Sequence, residues 1–368
     1  MRIALVIERF EPAAGGMENV AWQVAHGLAE AGDEVHIIAR RGAGSPSVTL
    51  HRVRTLDFWQ PLRVLGFSRG ARRQARHGDV DVVHAFSRTL HQDIYRAGGG
   101  SHVDYMLRAY TAAGVRLRRL TPRHALLLGI ERRIFADPSQ IVQCGSRMVR
   151  DQIAGRFRVP AGRLEVIHNG VDCERFRADA DPAERDALRR RLGAGDAPVW
   201  LFAGSGWRRK GLDTALEALA ACGDPDGRLW VAGRDAPASW RPLAAELGLT
   251  DRVEFLGPQR DMPALYRAAD ALLLPTRYDA FANVCLEAAA CQLPVITSGA
   301  NGCSELLAEA GVVVEDPEDA AGFGAALERL ADPSLRAALG AAGRRLAEDH
   351  SWPSHVEKLR ALYRRIRP

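Results

Sequence analysis

The chain has 368 residues, of which 47% are hydrophobic and 26% charged, and its formal net charge is +5. That length exceeds one ordinary hydrophobic core and predicts two domains, while no run of about 18 uninterrupted apolar residues is present to cross a membrane as a helix. The six cysteines, at 144, 173, 222, 285, 291 and 303, form no Cys-x-x-Cys pair and have no metal-site spacing with histidine, which argues against structural zinc and a disulfide framework.

In chain order, a short apolar strand at 2–7 leads to Gly15-Gly16 and a helix at 17–31 that ends at Gly32. Further strands are expected at 34–39, 48–53, 81–86, 140–145 and 164–168. A polar, mostly helical connection at 178–195 follows, and the pattern restarts with strands at 198–203, 228–232, 253–256, 271–274, 295–297 and 312–314. A last helix runs from 353 to about 365. Strand-helix alternation of this kind predicts an α/β protein with two Rossmann-like, doubly wound parallel sheets. The domains are expected at 1–172 and 173–352, with the helix at 353–368 able to cross back to the first. The opening residues hold too short an apolar run for a secretory leader, so a cytoplasmic protein is expected.

Charge divides unevenly between the halves. Residues 1–172 carry 25 Arg and 16 Asp plus Glu, whereas 173–368 carry 25 Arg plus Lys and 29 Asp plus Glu. The first half therefore favours an anionic surface or substrate. No nucleic-acid-binding motif accompanies that charge. Residues 108–135 interleave arginine with leucine, and Arg116, Arg118, Arg119, Arg123, Arg132 and Arg133 suit an element lying on anionic lipid or facing an acceptor. An ordinary surface helix pair is the alternative.

The most informative stretch is Pro275-Thr-Arg-Tyr-Asp279-Ala-Phe-Ala-Asn-Val-Cys-Leu-Glu287, with one carboxylate in a strand-to-helix loop and another inside an apolar helix. Loops at the carboxyl ends of parallel strands are where open α/β sheets bind ligands. Glu287 could instead serve the helix core through a salt bridge. Gly204-Ser-Gly-Trp-Arg-Arg-Lys-Gly211 occupies the equivalent loop after the strand at 198–203, where Arg209 and Lys210 could offset a pyrophosphate. Only one other lysine, Lys358, occurs in the chain. Gly15-Gly16 could admit a phosphate to a helix N-terminus or form a plain turn. The Asp-x-Asp triplets at 79–81, 179–181 and 224–226 fall away from the sheets' carboxyl edges and make poor metal sites, and His84 reads as a core histidine.

Together these motifs resemble glycosyltransferase family 4, retaining enzymes of the GT-B fold in which two Rossmann-like domains face each other across a cleft. The resemblance spans the whole chain. The Asp279-x7-Glu287 pair is similar to the family's Glu-x7-Glu motif, Arg209-Lys210 to its donor-phosphate pair, and His168-Asn-Gly-Val-Asp172 to its Pro-Asn-Gly-Val-Asp junction. The branch most resembled adds α-1,3-linked glucose to the lipopolysaccharide core. The similarity there lies in Ala85-Phe-Ser-Arg-Thr-Leu-His-Gln-Asp-Ile-Tyr-Arg-Ala97, the arginine-rich segment after it, the loop from Gly204 to Gly211, and Gly257-Pro-Gln-Arg-Asp-Met-Pro263.

The resemblance implies transfer of a hexose, glucose from UDP-glucose, to a membrane-associated glycan, with no metal and no cofactor beyond the nucleotide sugar. It implies that Glu287 binds the donor ribose, Asp279 the hydroxyls of the transferred sugar, and the backbone of Ala280, Phe281 and Ala282 the diphosphate or sugar. Gly15 and Gly16 would meet the phosphates from the other domain, and Arg260 would lie at the base. Arg209, Lys210 and Asp279 become the catalytic candidates. The expected partners are a nucleotide sugar, a lipid-linked acceptor and the anionic inner face of the cytoplasmic membrane. Two positions depart from the family: Asp279 is one methylene shorter than Glu, and Phe86 stands where many members have His. A sugar-nucleotide epimerase of the same fold and a non-catalytic nucleotide-sugar-binding protein remain open.

Overall fold

Short, nearly continuous apolar strands can bury both faces only between layers of helices, and each half of the chain does so. A computed structural model describes residues 1–367 apart from Asp57, Gly78, Thr111 and Ala180. The chain divides into two compact units, Met1–Asn169 with Trp352–Pro368, and Gly170–Ser351.

The first unit runs β1 (Arg2–Phe10), α1 (Gly16–Glu30), β2 (Glu34–Gly42), β3 (Thr49–Arg52), α2 (Gln60–His77), β4 (Val82–Ala85) and β5 (Ile94–Ala97). It continues through α3 (His102–Ala109), α4 (Ala112–Arg119), α5 (Pro122–Ala136), β6 (Ile141–Cys144), α6 (Arg147–Phe157) and β7 (Leu164–Val166). The second unit opens with α7 (Pro182–Arg191), β8 (Val199–Ala203), α8 (Trp207–Lys210), α9 (Leu212–Ala221), β9 (Arg228–Ala232), α10 (Arg241–Glu246) and β10 (Val253–Gly257). It is completed by α11 (Met262–Ala268), β11 (Ala271–Leu274), α12 (Asn283–Ala290), β12 (Val295–Ser298), β13 (Gly311–Val314), α13 (Ala320–Arg329) and α14 (Pro333–Asp349). Helix α15 (Trp352–Ile366) then rejoins the first unit.

The strand orders are β3-β2-β1-β4-β5-β6-β7 and β10-β9-β8-β11-β12-β13, with every pairing parallel. The expected pair of doubly wound parallel sheets is therefore present. Each sheet reverses its winding once, between β1 and β4 and between β8 and β11. Such switch points open a crevice outside the strands' carboxyl ends.

Side-chain alternation in β1 splits the first core between two layers. Ile3, Leu5 and Ile7 pack with Val20, Val24 and Leu28 of α1 and with Leu359 and Tyr363 of α15. Ala4 and Val6 face the opposite layer, beside Ile38, Phe67 and Ala85. In the second unit Leu272, Leu273 and Leu274 of β11 are completely buried. All six cysteines are free, and Cys173 alone is not buried.

Strand β5 carries no clear sequence signal, because Arg96 interrupts its apolar run. That arginine is buried, donates from Nη2 to Asn169 Oδ1 at 2.6 Å, and lies 5.3 Å from the centre of the Phe86 ring. Burial lowers Arg96 to about 10, so it remains charged at neutral pH. The Asp-x-Asp triplets have local duties. Asp81 accepts the Arg2 N–H, Asp181 caps α7, and Asp224 accepts the Asp226 N–H within a turn.

Because α15 completes the α1 side of the first core, Leu359→Ala is expected to cost about 3 kcal/mol in urea unfolding. Hydrogen exchange should then show lost protection in β1 and β2 while β8 and β11 keep theirs.

Candidate active site

The second unit's site is built on the two loops that leave the switch point. After β8, Gly204, Gly206 and Gly211 all have positive φ, which lets the chain turn sharply into α8 and again into α9. A Cβ on Gly211 would sit 2.0 Å from the Pro275 carbonyl oxygen, so this residue allows the β8 and β11 loops to touch. Asp235, from the end of β9, accepts the N–H groups of Gly206 and Trp207 at 2.7 and 3.2 Å and fixes the start of α8. The buried Trp207 indole donates to Gly204 O at 2.9 Å. The basic loop is thus rigidly held rather than an open, solvated turn.

This frame aims two cations at one carboxylate. Lys210 Nζ donates to Asp279 Oδ2 at 2.7 Å, and Arg209 Nη1 donates to the same oxygen at 3.1 Å and to Tyr278 O at 2.7 Å. The Lys210 side chain is only 8% exposed and that of Asp279 17%. Burial alone would raise the Asp279 carboxyl, but Lys210 and then Arg209 outweigh it and bring it down to about 2. A second strap holds the loops together: Arg277 pairs with Asp213 at 2.7 and 3.0 Å and donates to Arg208 O at 2.8 Å.

Asp279 belongs to the loop before α12, whereas Glu287 lies within the helix. Glu287 Oε2 accepts the Tyr266 hydroxyl of α11 at 2.8 Å. Burial raises the Glu287 carboxyl, opposed by that hydrogen bond and by Arg175 and Lys210. Among the three loop amides, Phe281 N–H donates to Asp279 Oδ1 and Ala282 N–H to Asn301 Oδ1, each at 3.2 Å. Both amides are therefore engaged within the protein, at the N-terminus of α12. Arg260 is exposed and lines a cavity of about 640 Å³ with Arg175, Arg177 and Arg267. Arg175 links that cavity electrostatically to Glu287.

In the first unit, Gly15 and Gly16 begin α1 beyond the end of β1. A Cβ on Gly15 would lie 2.8 Å from Glu18 Oε2, and Glu18 is held by Arg9 at 3.2 Å. The positive end of this helix thus already has an anionic neighbour. A cavity of about 230 Å³ at the carboxyl ends of β1 and β4 is lined by Glu8, Glu18, Arg63, Phe86, Arg88 and Arg123, among others. Arg88 is braced by Glu131, a fully buried carboxylate that also accepts the His102 N–H. Arg116, Arg118 and Arg119 are exposed on α4, and Arg132 and Arg133 are exposed on α5. Arg118 lies over the Tyr110 ring at 3.9 Å. His84 is buried, hydrogen-bonded to the Tyr363 hydroxyl at 2.8 Å, and lowered to about 3, first by burial. It stays neutral in the core.

Comparison with known proteins places both halves of the chain in one family. The description "Glycosyltransferase Family 4" matches residues 14–175 and "Glycosyl transferases group 1" matches residues 197–333. A D-inositol 3-phosphate glycosyltransferase of Geodermatophilus obscurus is 33% identical over 95% of this chain and 84% of its own length. The chain belongs to glycosyltransferase family 4. The protein with the same description from Salinispora arenicola is 31% identical over 95% of this chain and 87% of its own length.

Solved structures establish the family's GT-B fold here. WaaG, a glycosyltransferase involved in lipopolysaccharide biosynthesis, superposes with a TM-score of 0.83 at 24% identity, covering 98% of this chain and 99% of its own. Anabaena HepE in complex with UDP and glucose gives 0.74 at 17% identity, covering 99% of this chain and 100% of its own.

Asp235, Tyr266, Asn301 and the Arg88–Glu131 pair escape sequence reasoning. Asp235 and Asn301 do share a faint signal, since each lies within three residues of a strand's carboxyl end.

Two outcomes follow for the paired carboxylates. Asp279→Asn is expected to lower unfolding stability at pH 7 by about 2 kcal/mol, less than a fully buried pair because water still reaches it. The folded value lies below the ordinary 3.8, so this stabilisation is complete above that value and fades as pH falls toward about 2. Glu287 shifts the other way. In thermal unfolding without ligand, Glu287→Gln should match or exceed the parent, with its advantage growing as pH rises above the ordinary 4.5, where the unfolded carboxyl ionises and the buried one resists, and levelling once the buried one ionises too.

Proposed function

We propose that this glycosyltransferase retains anomeric configuration and moves a hexose, with glucose from UDP-glucose as donor, to a membrane-associated glycan such as the lipopolysaccharide core. The observation that carries this reading is the Arg209–Lys210–Asp279 cluster at the β8/β11 switch point. Two cations held there by a carboxylate suit a ligand that gains charge as it departs. In this reading the diphosphate meets Arg209 and Lys210, Asp279 orients them and reaches the sugar hydroxyls, and Glu287 holds the ribose. Ala280, Phe281 and Ala282 border the sugar and diphosphate, and Arg260 flanks the base.

The chemistry then needs no protein nucleophile. The acceptor oxygen bonds to the anomeric carbon as the bond from that carbon to the phosphate oxygen breaks, and the acceptor proton passes to the departing phosphate on the same face. Preorganised positive charge at that oxygen is the main catalytic contribution. Peripheral attachment at the cytoplasmic face of the membrane would bring the acceptor within reach, with the exposed arginines of α4 and α5 attracting anionic lipid.

A second acceptor class is a small phosphorylated polyol. The arginine-lined cavity in the first unit and the relatives' described activity favour it.

Incubation with UDP-sugars and a lipid-core glycan or D-inositol 3-phosphate should release UDP only when the matching acceptor is present. Lys210→Ala should reduce kcat about 100-fold or more. Conversion of the donor alone would indicate an epimerase, and UDP binding without turnover on any donor-acceptor pair would contradict transfer.

A further inference from the structure

We propose that the first unit carries an apolar edge, formed by Leu56, Phe58, Trp59 and Leu62 with Leu117 and Leu120, that inserts into the interface of an anionic lipid bilayer beside the arginine-lined cavity. This rests on the reading that the acceptor is membrane-borne, and it assigns the contact to side chains other than the arginines.

Single exposed leucines are normal on a protein surface, but a concentration of large ones is not. Among the described residues, the large hydrophobic side chains left exposed are Leu56, Phe58, Trp59, Leu62, Leu107, Leu117 and Leu120. They fall in two short segments of the first unit, and Phe58 is 79% and Leu120 81% exposed. Asp57, between the first two, lies outside the described residues.

The two segments meet the same cavity. Gln60 and Arg63 in the first turn of α2 line it, directly after Phe58 and Trp59. Arg123 and Leu127 of α5, three and seven residues beyond Leu120, line it as well.

Charge selects the occupant. Residues 58–78 hold five arginines and no acidic residue, and residues 105–130 hold five arginines and no acidic residue. Asp57 is the one acidic residue from 56 to 78, so the exposed aromatic and leucine side chains sit in segments where arginine far outnumbers acid, which matches the boundary between anionic headgroups and acyl chains. There the rings sit at headgroup depth, and long basic side chains reach phosphate while their stems stay apolar. No described helix is long and apolar enough to cross a membrane, so the contact is a shallow one.

The test uses the full chain and vesicles of phosphatidylcholine with or without phosphatidylglycerol. The parent should sediment with the anionic vesicles, and a Phe58→Ser, Trp59→Ser, Leu120→Ser variant should partition about tenfold less or weaker still. The difference between parent and Trp59→Phe fluorescence should shift to the blue on those vesicles and be quenched by brominated acyl chains. Turnover of a soluble, delipidated acceptor should stay at the parental rate.

Equal partition of parent and triple variant, or unquenched Trp59, would overturn the proposal. So would a parent that dimerises in solution while the variant is monomeric, since a second copy would then cover the edge. The vesicle measurements need no turnover, so a failure of the glycosyl-transfer reading is seen separately, as inactivity on every acceptor.

Discussion

Lys210 and Asp279 come from loops 69 residues apart in the chain, yet they share a 2.7 Å hydrogen bond in a setting with little water. A lysine this buried is costly unless a carboxylate and a fixed geometry compensate it. Both come from the fold. Strands β8 and β11 are neighbours because the sheet changes direction there, so the loops leaving them converge. Gly211 lets the backbones touch, Asp235 fixes the start of α8, and the Arg277–Asp213 pair binds the loops a second time. The resulting cationic centre exists before any ligand arrives. Preorganisation of this kind lets charge act on a departing group without reorganisation during the reaction.

The neighbouring carboxylate obeys a different physical rule. Asp279 is kept ionised by two cations, whereas burial pushes Glu287 toward its neutral form against the Tyr266 hydrogen bond. Two acidic side chains eight residues apart are therefore shifted in opposite directions. The first unit adds a parallel case in Glu131, whose buried carboxylate braces Arg88 at the rim of the β1/β4 cavity.

Much of this is legible in the sequence because parallel strands announce themselves as apolar runs and their carboxyl ends follow at once. That logic locates Gly15-Gly16, the loop from Gly204 to Gly211, and Asp279. It fails where a buried position carries a charged residue. Arg96 hides β5, and Glu131 sits in a helix whose arginines suggest a solvated surface. Pairings are illegible for another reason: that Lys210 meets Asp279, or Tyr266 meets Glu287, depends on which strands become neighbours. The exposed apolar edge is equally hidden, since Leu56, Phe58 and Trp59 resemble core residues until their burial is known.

A double-mutant cycle on kcat/KM for the donor, built from Lys210→Ala and Asp279→Ala, tests the central claim most directly. If Asp279 acts by holding Lys210 in place, the double variant should lose little more than Lys210→Ala alone, leaving a coupling of about 1–3 kcal/mol. Additive losses would show that the two residues act independently, and the account of a single preassembled cationic centre would be wrong.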